Sequence, residues 1–279
     1  MLSTGLLPAQ GVVAQGEGSK PETFDAVPAD AGQPFGGIAI SPTRLVMDAR
    51  RGGQVMLYNS STAPVSYRVE SLDLSIDETG AHSPVADGAI PAWSALPHIR
   101  YAPRQVTLQP GQRQAIKVIA RVPADVAAGE YRSHLRFSSI PTVAPVEEAA
   151  EEKPGQDRMV SVTVGMDFRV TIPLLLRVGE TTGGARIERS QVVSSAENRR
   201  AVNVTVARTG NRSDYGTLRI MGVDGAVLGS LRGVSVPAPL GRRIFPVALT
   251  GTAKPASVAY VEELPGMRDG DVLAQAAID

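Results

Sequence analysis

His82, His98 and His134 are the three imidazoles of a chain that contains no cysteine. An imidazole serves as a general base or a metal ligand when a partner group stands at a defined spacing. No two of the three stand at i, i+4, and no GxSxG, P-loop or GxGxxG sequence occurs, so nucleophilic, phosphate-binding and dinucleotide chemistry lack their usual carriers. Without cysteine there is no disulfide, thiol nucleophile or Cys-ligated metal. Glu147, Glu148, Glu151 and Glu152 lie in a polar stretch bracketed by Pro145 and Pro154. Adjacent glutamates on such a loop do not preorganise a coordination shell, so the segment reads as a solvated loop. His82 falls in a polar loop, His98 sits beside Pro97, and His134 alternates away from Leu135 and Phe137; all three read as solvent-facing or edge residues. Trp93 reads as a loop anchor on the end of a sandwich. Neither cofactor nor metal is expected, and the chain is read as a non-enzyme. Among the cations, Arg44 has the planar fork that suits bidentate carboxylate binding, and a solvated surface ion pair is its plain alternative.

Lysine plus arginine (28) equal aspartate plus glutamate (28), and aromatics make up 4% of the 279 residues. A nucleic-acid binder needs basic excess and stacking surface, so nucleic acid is not an expected partner. No run approaches 18 apolar residues, and no transmembrane segment is expected. Residues 1–15 are mildly apolar and end in Val12-Val13-Ala14-Gln15. They read as a shortened signal peptide or as an ordinary disordered terminus, since the basic n-region is missing and Pro8 interrupts the stretch. Residues 16–35, rich in Gly, Pro, Asp and Glu, read as a flexible leader.

The elements that must position any site are short strands. Residues 37–48 form a strand interrupted by Pro42, which marks an edge or a switch between sheets. Val55 and Leu57 share a face of the next strand. In residues 65–77, Val65, Tyr67 and Val69 share one phase while Leu72, Leu74 and Ile76 share the opposite one, predicting a bulge near Glu70 and Ser71. Pro110-Gly111 supplies a turn, Ile116, Val118, Ala120 and Val122 alternate, and so do Tyr131, Ser133, Leu135 and Phe137. About seven strands without helical periodicity predict an all-β chain built of immunoglobulin-like sandwiches. From Met159 to Val178 the alternation is unusually long, with Val160, Val162, Val164, Met166, Phe168, Val170 and Ile172 on one face. Part of that face must fill the domain's own core. The portion near 160–168 reads as an apolar edge retained for pairing with another chain.

Residues 37–178 resemble the N-terminal domain of the PapD-like periplasmic pilus-assembly chaperones. The resemblance rests on the order and spacing of Thr43 to Asp48, Leu57-Tyr58-Asn59, Ala63-Pro64-Val65 leading into Tyr67, Pro103 to Gln112, Phe137 to Pro141, and Ile172 to Arg177. It implies donor-strand complementation, in which the last strand of that domain fills the open groove of a pilin-like subunit that lacks its own final strand. Val160, Val162, Val164, Met166 and Phe168 would be the donor residues. It also implies two cleft cations that hold the subunit's C-terminal carboxylate. Arg44 matches the first; at the position of the second, usually Lys, this chain has Pro173, so Arg169 or Lys117 is the expected substitute. The implied partners are pilin-like subunits and an outer-membrane usher, and the implied location is the periplasm of a Gram-negative-type envelope.

Beyond a linker at residues 179–184, strands recur at 185–193, 201–208 and 217–223. The Asp224-Gly225 turn, residues 226–236, RRIFPVALTG and ASVAYVEEL follow, and residues 210–215 (GNRSDY) read as a polar connection. The expected organisation is a signal remnant and leader (1–35), an N-terminal immunoglobulin-like domain (36–180) and a smaller C-terminal sandwich (181–279), in a bent, two-lobed arrangement. A structural or adhesive surface protein built of the same domains is the alternative function.

Overall fold

The computed structural model describes residues 37–140, 168–194, 199–266 and 268–278. Among them there is no α-helix; the chain is all-β apart from one 3-10 turn at Leu96–His98. The strands of the first half are β1 (Ile38–Ser41), β2 (Leu45–Asp48), β3 (Gly53–Asn59), β4 (Val65–Leu72), β5 (Leu74–Ile76), β6 (His82–Pro84), β7 (Ile99–Ala102), β8 (Gln105–Leu108), β9 (Arg113–Ala120), β10 (Gly129–Ile140) and β11 (Arg169–Val178). A four-stranded sheet in the order β1-β3-β9-β7 packs on a five-stranded sheet in the order β2-β11-β10-β4-β8.

Proline shapes this sandwich twice. Pro42 stands between β1, in the four-stranded sheet, and β2, in the five-stranded one; Pro103 stands in the same way between β7 and β8. A residue without an N–H cannot donate to a ladder, and at both places the chain crosses to the facing sheet, one of the two readings expected for Pro42. Between the sheets Val55, Leu57, Ile116 and Val118 meet Tyr67, Val69, Leu135, Phe137, Ile172, Leu174 and Leu176. Each such side chain contributes about 1.5 to 3 kcal/mol on burial.

The bulge expected near Glu70 and Ser71 is absent. The β4–β10 register runs without interruption from Ser66↔Ile140 to Leu72↔His134. The phase changes because the chain leaves the sheet at Asp73, whose carboxylate accepts a 2.6 Å hydrogen bond from Ser133 Oγ. Beyond it, β5 pairs with β6 as a separate two-stranded hairpin.

The second half carries β12 (Ala185–Ser194), β13 (Arg200–Arg208), β14 (Gly216–Gly222), β15 (Val227–Val234), β16 (Arg242–Ala248), β17 (Pro255–Leu264) and β18 (Arg268–Ala277). Sheets β12-β13-β16 and β15-β14-β17-β18 enclose a core of Val202, Val204, Val206, Leu218, Ile220, Phe245, Val247, Val258 and Tyr260. Asp224-Gly225 turns the β14–β15 hairpin, with Gly225 at φ 79°, a conformation that glycine adopts without steric cost. Strand β18 is an addition to the expected set. Its sequence, rich in Ala and Asp, lacks β-branched alternation, and it is placed by pairing with β17.

Candidate functional site: a cleft between the two sandwiches

The five-stranded sheet has two faces, and the register separates them. On β11, Ile172, Leu174 and Leu176 enter the core, so Thr171, Pro173 and Leu175 point the other way. On β10, Ser133 and Leu135 pair with Leu174 and Ile172, while Arg132 and His134 pair with Leu175 and Pro173. These five outward residues form the floor of a cavity of 370 Å³. Leu74, Ile76 and His82 of the β5–β6 hairpin line it, together with Arg44 just before β2. Tyr215, Gly233, Ser235, Pro237 and Arg243, all from the second sandwich, complete it.

The segment GNRSDY, expected as a plain strand connection, is also what docks the second sandwich. The Glu130 amide donates to Asn211 O at 3.0 Å, and its buried carboxylate accepts from the Ser213 amide at 3.1 Å and Ser213 Oγ at 2.5 Å. Arg177 donates to Glu130 at 3.4 Å and to Ser213 O at 3.2 Å. Farther along, Ile244 N donates to Glu78 O at 2.7 Å and Arg242 pairs with the Glu78 carboxylate at 3.0 Å.

Arg44 lines the cavity with its guanidinium carbon 3.8 Å from the centre of the Tyr215 ring. Its Nη1 is buried without a hydrogen-bond partner among the described residues. Burial, followed by the neighbouring Arg177, pulls its pKa down, although the Tyr215 hydroxyl opposes this. Two further arginines, which sequence reasoning missed, share the cavity. Arg132 is almost wholly buried, donates through Nη2 to Leu74 O at 2.7 Å and lies 4.9 Å from the centre of the Trp93 ring. Burial pushes its pKa down to about 10. Arg243 stands over Phe245 at 4.7 Å. Among the described residues the Nε of each lacks a hydrogen-bond partner. Arg132 carried a weak signal in the sequence, since it shares the outward phase of His134; Arg243 carried none, because its phase is that of core residues Phe245 and Val247.

The two expected substitutes for the second cleft cation lie elsewhere. Lys117 is exposed on β9, in the opposite sheet. Arg169 is exposed at the start of β11, four residues from Pro173 and outside the cavity, beside Arg68, Glu70, Arg136 and Ser138. The physical reason is alternation and distance: Lys117 belongs to the wrong sheet, and Arg169 shares the cleft face but lies beyond its end.

His134 is not solvent-facing. It points away from Leu135 and Phe137 as expected, but the second sandwich and the hairpin cover that face, leaving it 4% exposed. Burial, reinforced by Arg132, pushes its pKa down to about 3. His82, edge-on to His134 at 5.8 Å between ring centres, also has a lowered pKa, from burial and then Arg132. His98 packs edge-on against Tyr131 at 5.4 Å.

Strand β11 is covered unequally. Strand β10 pairs with it from Arg169 to Val178, whereas β2 lies on its other side only from Leu174 to Arg177. Among the described residues, nothing pairs with Arg169 to Pro173 on that second side. Phe168, half-buried, continues the alternation: Ser139 N donates to its carbonyl at 2.9 Å and its own amide donates to Ser139 Oγ at 3.0 Å. Val160, Val162, Val164 and Met166 lie outside the described residues.

No family model and no curated protein matches the chain. Solved structures do. A chain from the Salmonella enterica SafA pilin in complex with the SafB chaperone aligns at a TM-score of 0.51 and 11% identity, over 88% of this chain and 99% of that one. The YadV chaperone aligns at 0.51 and 14%, over 87% and 100%, and the Escherichia coli chaperone DraB at 0.50 and 14%, over 87% and 96%. At these identities the likeness is one of fold, and the chain accordingly has the two-sandwich, immunoglobulin-like fold of the pilus chaperones.

Proposed function

We propose that the chain is a periplasmic chaperone of pilus assembly that captures pilin-like subunits by donor-strand complementation and delivers them to an outer-membrane usher. The observation that carries this reading is the unequal cover of β11. An open strand edge offers unpaired N–H and C=O groups to an incoming chain, and the alternating apolar residues before it offer side chains for that chain's core. Val160, Val162, Val164, Met166 and Phe168 are the proposed donors, and Arg44, at the cleft end of the same edge, is the proposed carboxylate anchor. The working units are residues 36–180 for capture and 181–279 for the second wall of the cleft, with 1–35 as signal remnant and leader.

Co-expression with a pilin-like subunit tests the proposal. The tagged chain is expected to co-purify with the subunit as a soluble one-to-one complex from the periplasmic fraction. Fibre formation by the chain alone, or its retention on the cell surface without subunit binding, would instead support a structural or adhesive role.

A further inference from the structure

The cleft holds more positive charge than one carboxylate neutralises. Arg44, Arg132 and Arg243 all line it, and each keeps one buried guanidinium nitrogen without a hydrogen-bond partner among the described residues. Among the described residues no carboxylate lies within 4.0 Å of any of the three. The histidines add no charge near neutral pH, because both are held in the neutral form. A buried cation without a close counter-ion is costly unless a ligand supplies the counter-charge.

The three arginines also divide into two groups. Arg44 lies over the Tyr215 ring at 3.8 Å, on the side of the cavity that Tyr215 closes. Arg132 and Arg243 instead stand against the β5–β6 hairpin, Arg132 donating to Leu74 O at 2.7 Å and the Arg243 guanidinium lying beside Gly80, and both act on His82; on Arg132 itself the Asp73 and Glu130 carboxylates act more strongly than Arg243. Arg132 comes from β10 of the first sandwich and Arg243 from β16 of the second, so an anion between them would touch both. Leu74, Ile76, Leu175 and Pro237 supply apolar lining for the carbon skeleton that carries the charge.

We propose that Arg132 and Arg243 form a second anion subsite, separate from Arg44, which receives an acidic side chain close to the C-terminal carboxylate of a bound polypeptide. The class of ligand rests on the chaperone reading; the existence of the subsite rests on the cavity alone. A partner ending in a residue with two carboxylates, or carrying Asp or Glu near its terminus, is then preferred over one with a neutral terminus.

Two small probes separate the charges. N-acetylglutamate carries an α- and a γ-carboxylate; N-acetylglutamine is nearly isosteric and carries only the first. Titration of the purified full chain, followed by NMR through the arginine Nε–H signals, is expected to shift Arg132 and Arg243 with N-acetylglutamate. Its affinity should exceed that of N-acetylglutamine by about tenfold, the scale of one charge-assisted hydrogen bond. Arg243→Gln should bring the ratio close to one while N-acetylglutamine binding persists, and exposed Arg100→Gln should change neither. Equal affinities for the two probes, a ratio that survives Arg243→Gln, or silence of both Nε–H signals overturns the subsite. Probe selectivity without subunit capture refutes the chaperone reading and leaves the subsite standing; capture without probe selectivity does the reverse.

Discussion

The Glu130 carboxylate on β10 accepts hydrogen bonds from both the amide (3.1 Å) and the hydroxyl (2.5 Å) of Ser213, joining the two sandwiches through a buried charge. Its side chain is wholly enclosed and its only ion-pair partner among the described residues is Arg177 at 3.4 Å. Removing one partner of a buried, hydrogen-bonded charge leaves the other unsatisfied, which costs about 1.5 to 3 kcal/mol for a charged group. Ser213→Ala and Glu130→Ala should each destabilise the chain by that amount in urea unfolding. The double variant should lose less than the sum, because the two residues form one network. Additive losses would mean that the carboxylate and the hydroxyl act independently.

The proposed donor function and the chain's own core divide one long alternation, and substitution locates the division. Val164→Asp and Met166→Asp should abolish subunit co-purification while leaving the chain's thermal transition unchanged, since neither residue is asked to fill its own core. Ile172→Asp should instead cost on the order of 4 kcal/mol, because Ile172 is 3% exposed and packs between the sheets. Unchanged capture by both charged variants would remove the donor assignment.

For the Arg44 anchor, the useful comparison is with another arginine that already has a partner. Arg44→Ala should weaken subunit capture at least about tenfold, the consequence of losing a charge-assisted bidentate contact. Arg186→Ala should have little effect, because Arg186 is exposed and pairs with Glu188 at 2.6 Å, an arrangement worth under about 1 kcal/mol. Equal weakening by the two substitutions would remove Arg44 from the cleft function.

What was legible in the sequence was whatever alternation controls. Val55 with Leu57 and Ile116 with Val118 enter the core as expected, because period two determines which face a strand residue takes. Pro42 marked an edge or a sheet switch because its missing N–H cannot join a ladder, and the structure has the switch. Strand β18 was not legible, since Ala276 and Leu273 are only partly buried and the pairing with β17 places them. The cleft was legible in part. Arg44 and Pro173 both line it, but the docking of Ser213 and Tyr215 against the first sandwich is a long-range event with no local signature. The burial of His134 and Arg132 and the position of Arg243 all depend on that docking. The face opposite the core therefore read as solvent, although a second sandwich covers it.

The buried His134 ties the stability of the chain to pH. Its pKa is pushed down to about 3 from an ordinary 6.5, with burial as the main cause and Arg132, His82 and Arg136 assisting. A histidine depressed in the folded state binds its proton preferentially in the unfolded chain. Stability from this group is therefore complete above about pH 6.5, falls as the pH drops below that value, and levels off near pH 3. At pH 5, about one and a half units below the unfolded pKa, the loss should reach about 2 kcal/mol. Carboxylate titration contributes to the total at lower pH, so the comparison belongs between pH 7 and 5. Urea unfolding of the parent chain should show the decline, and His134→Gln should flatten it while remaining folded. Matching slopes in the two proteins over that interval would mean that His134 titrates in the folded chain as it does in the unfolded one, and hence that the cleft does not hold it away from water.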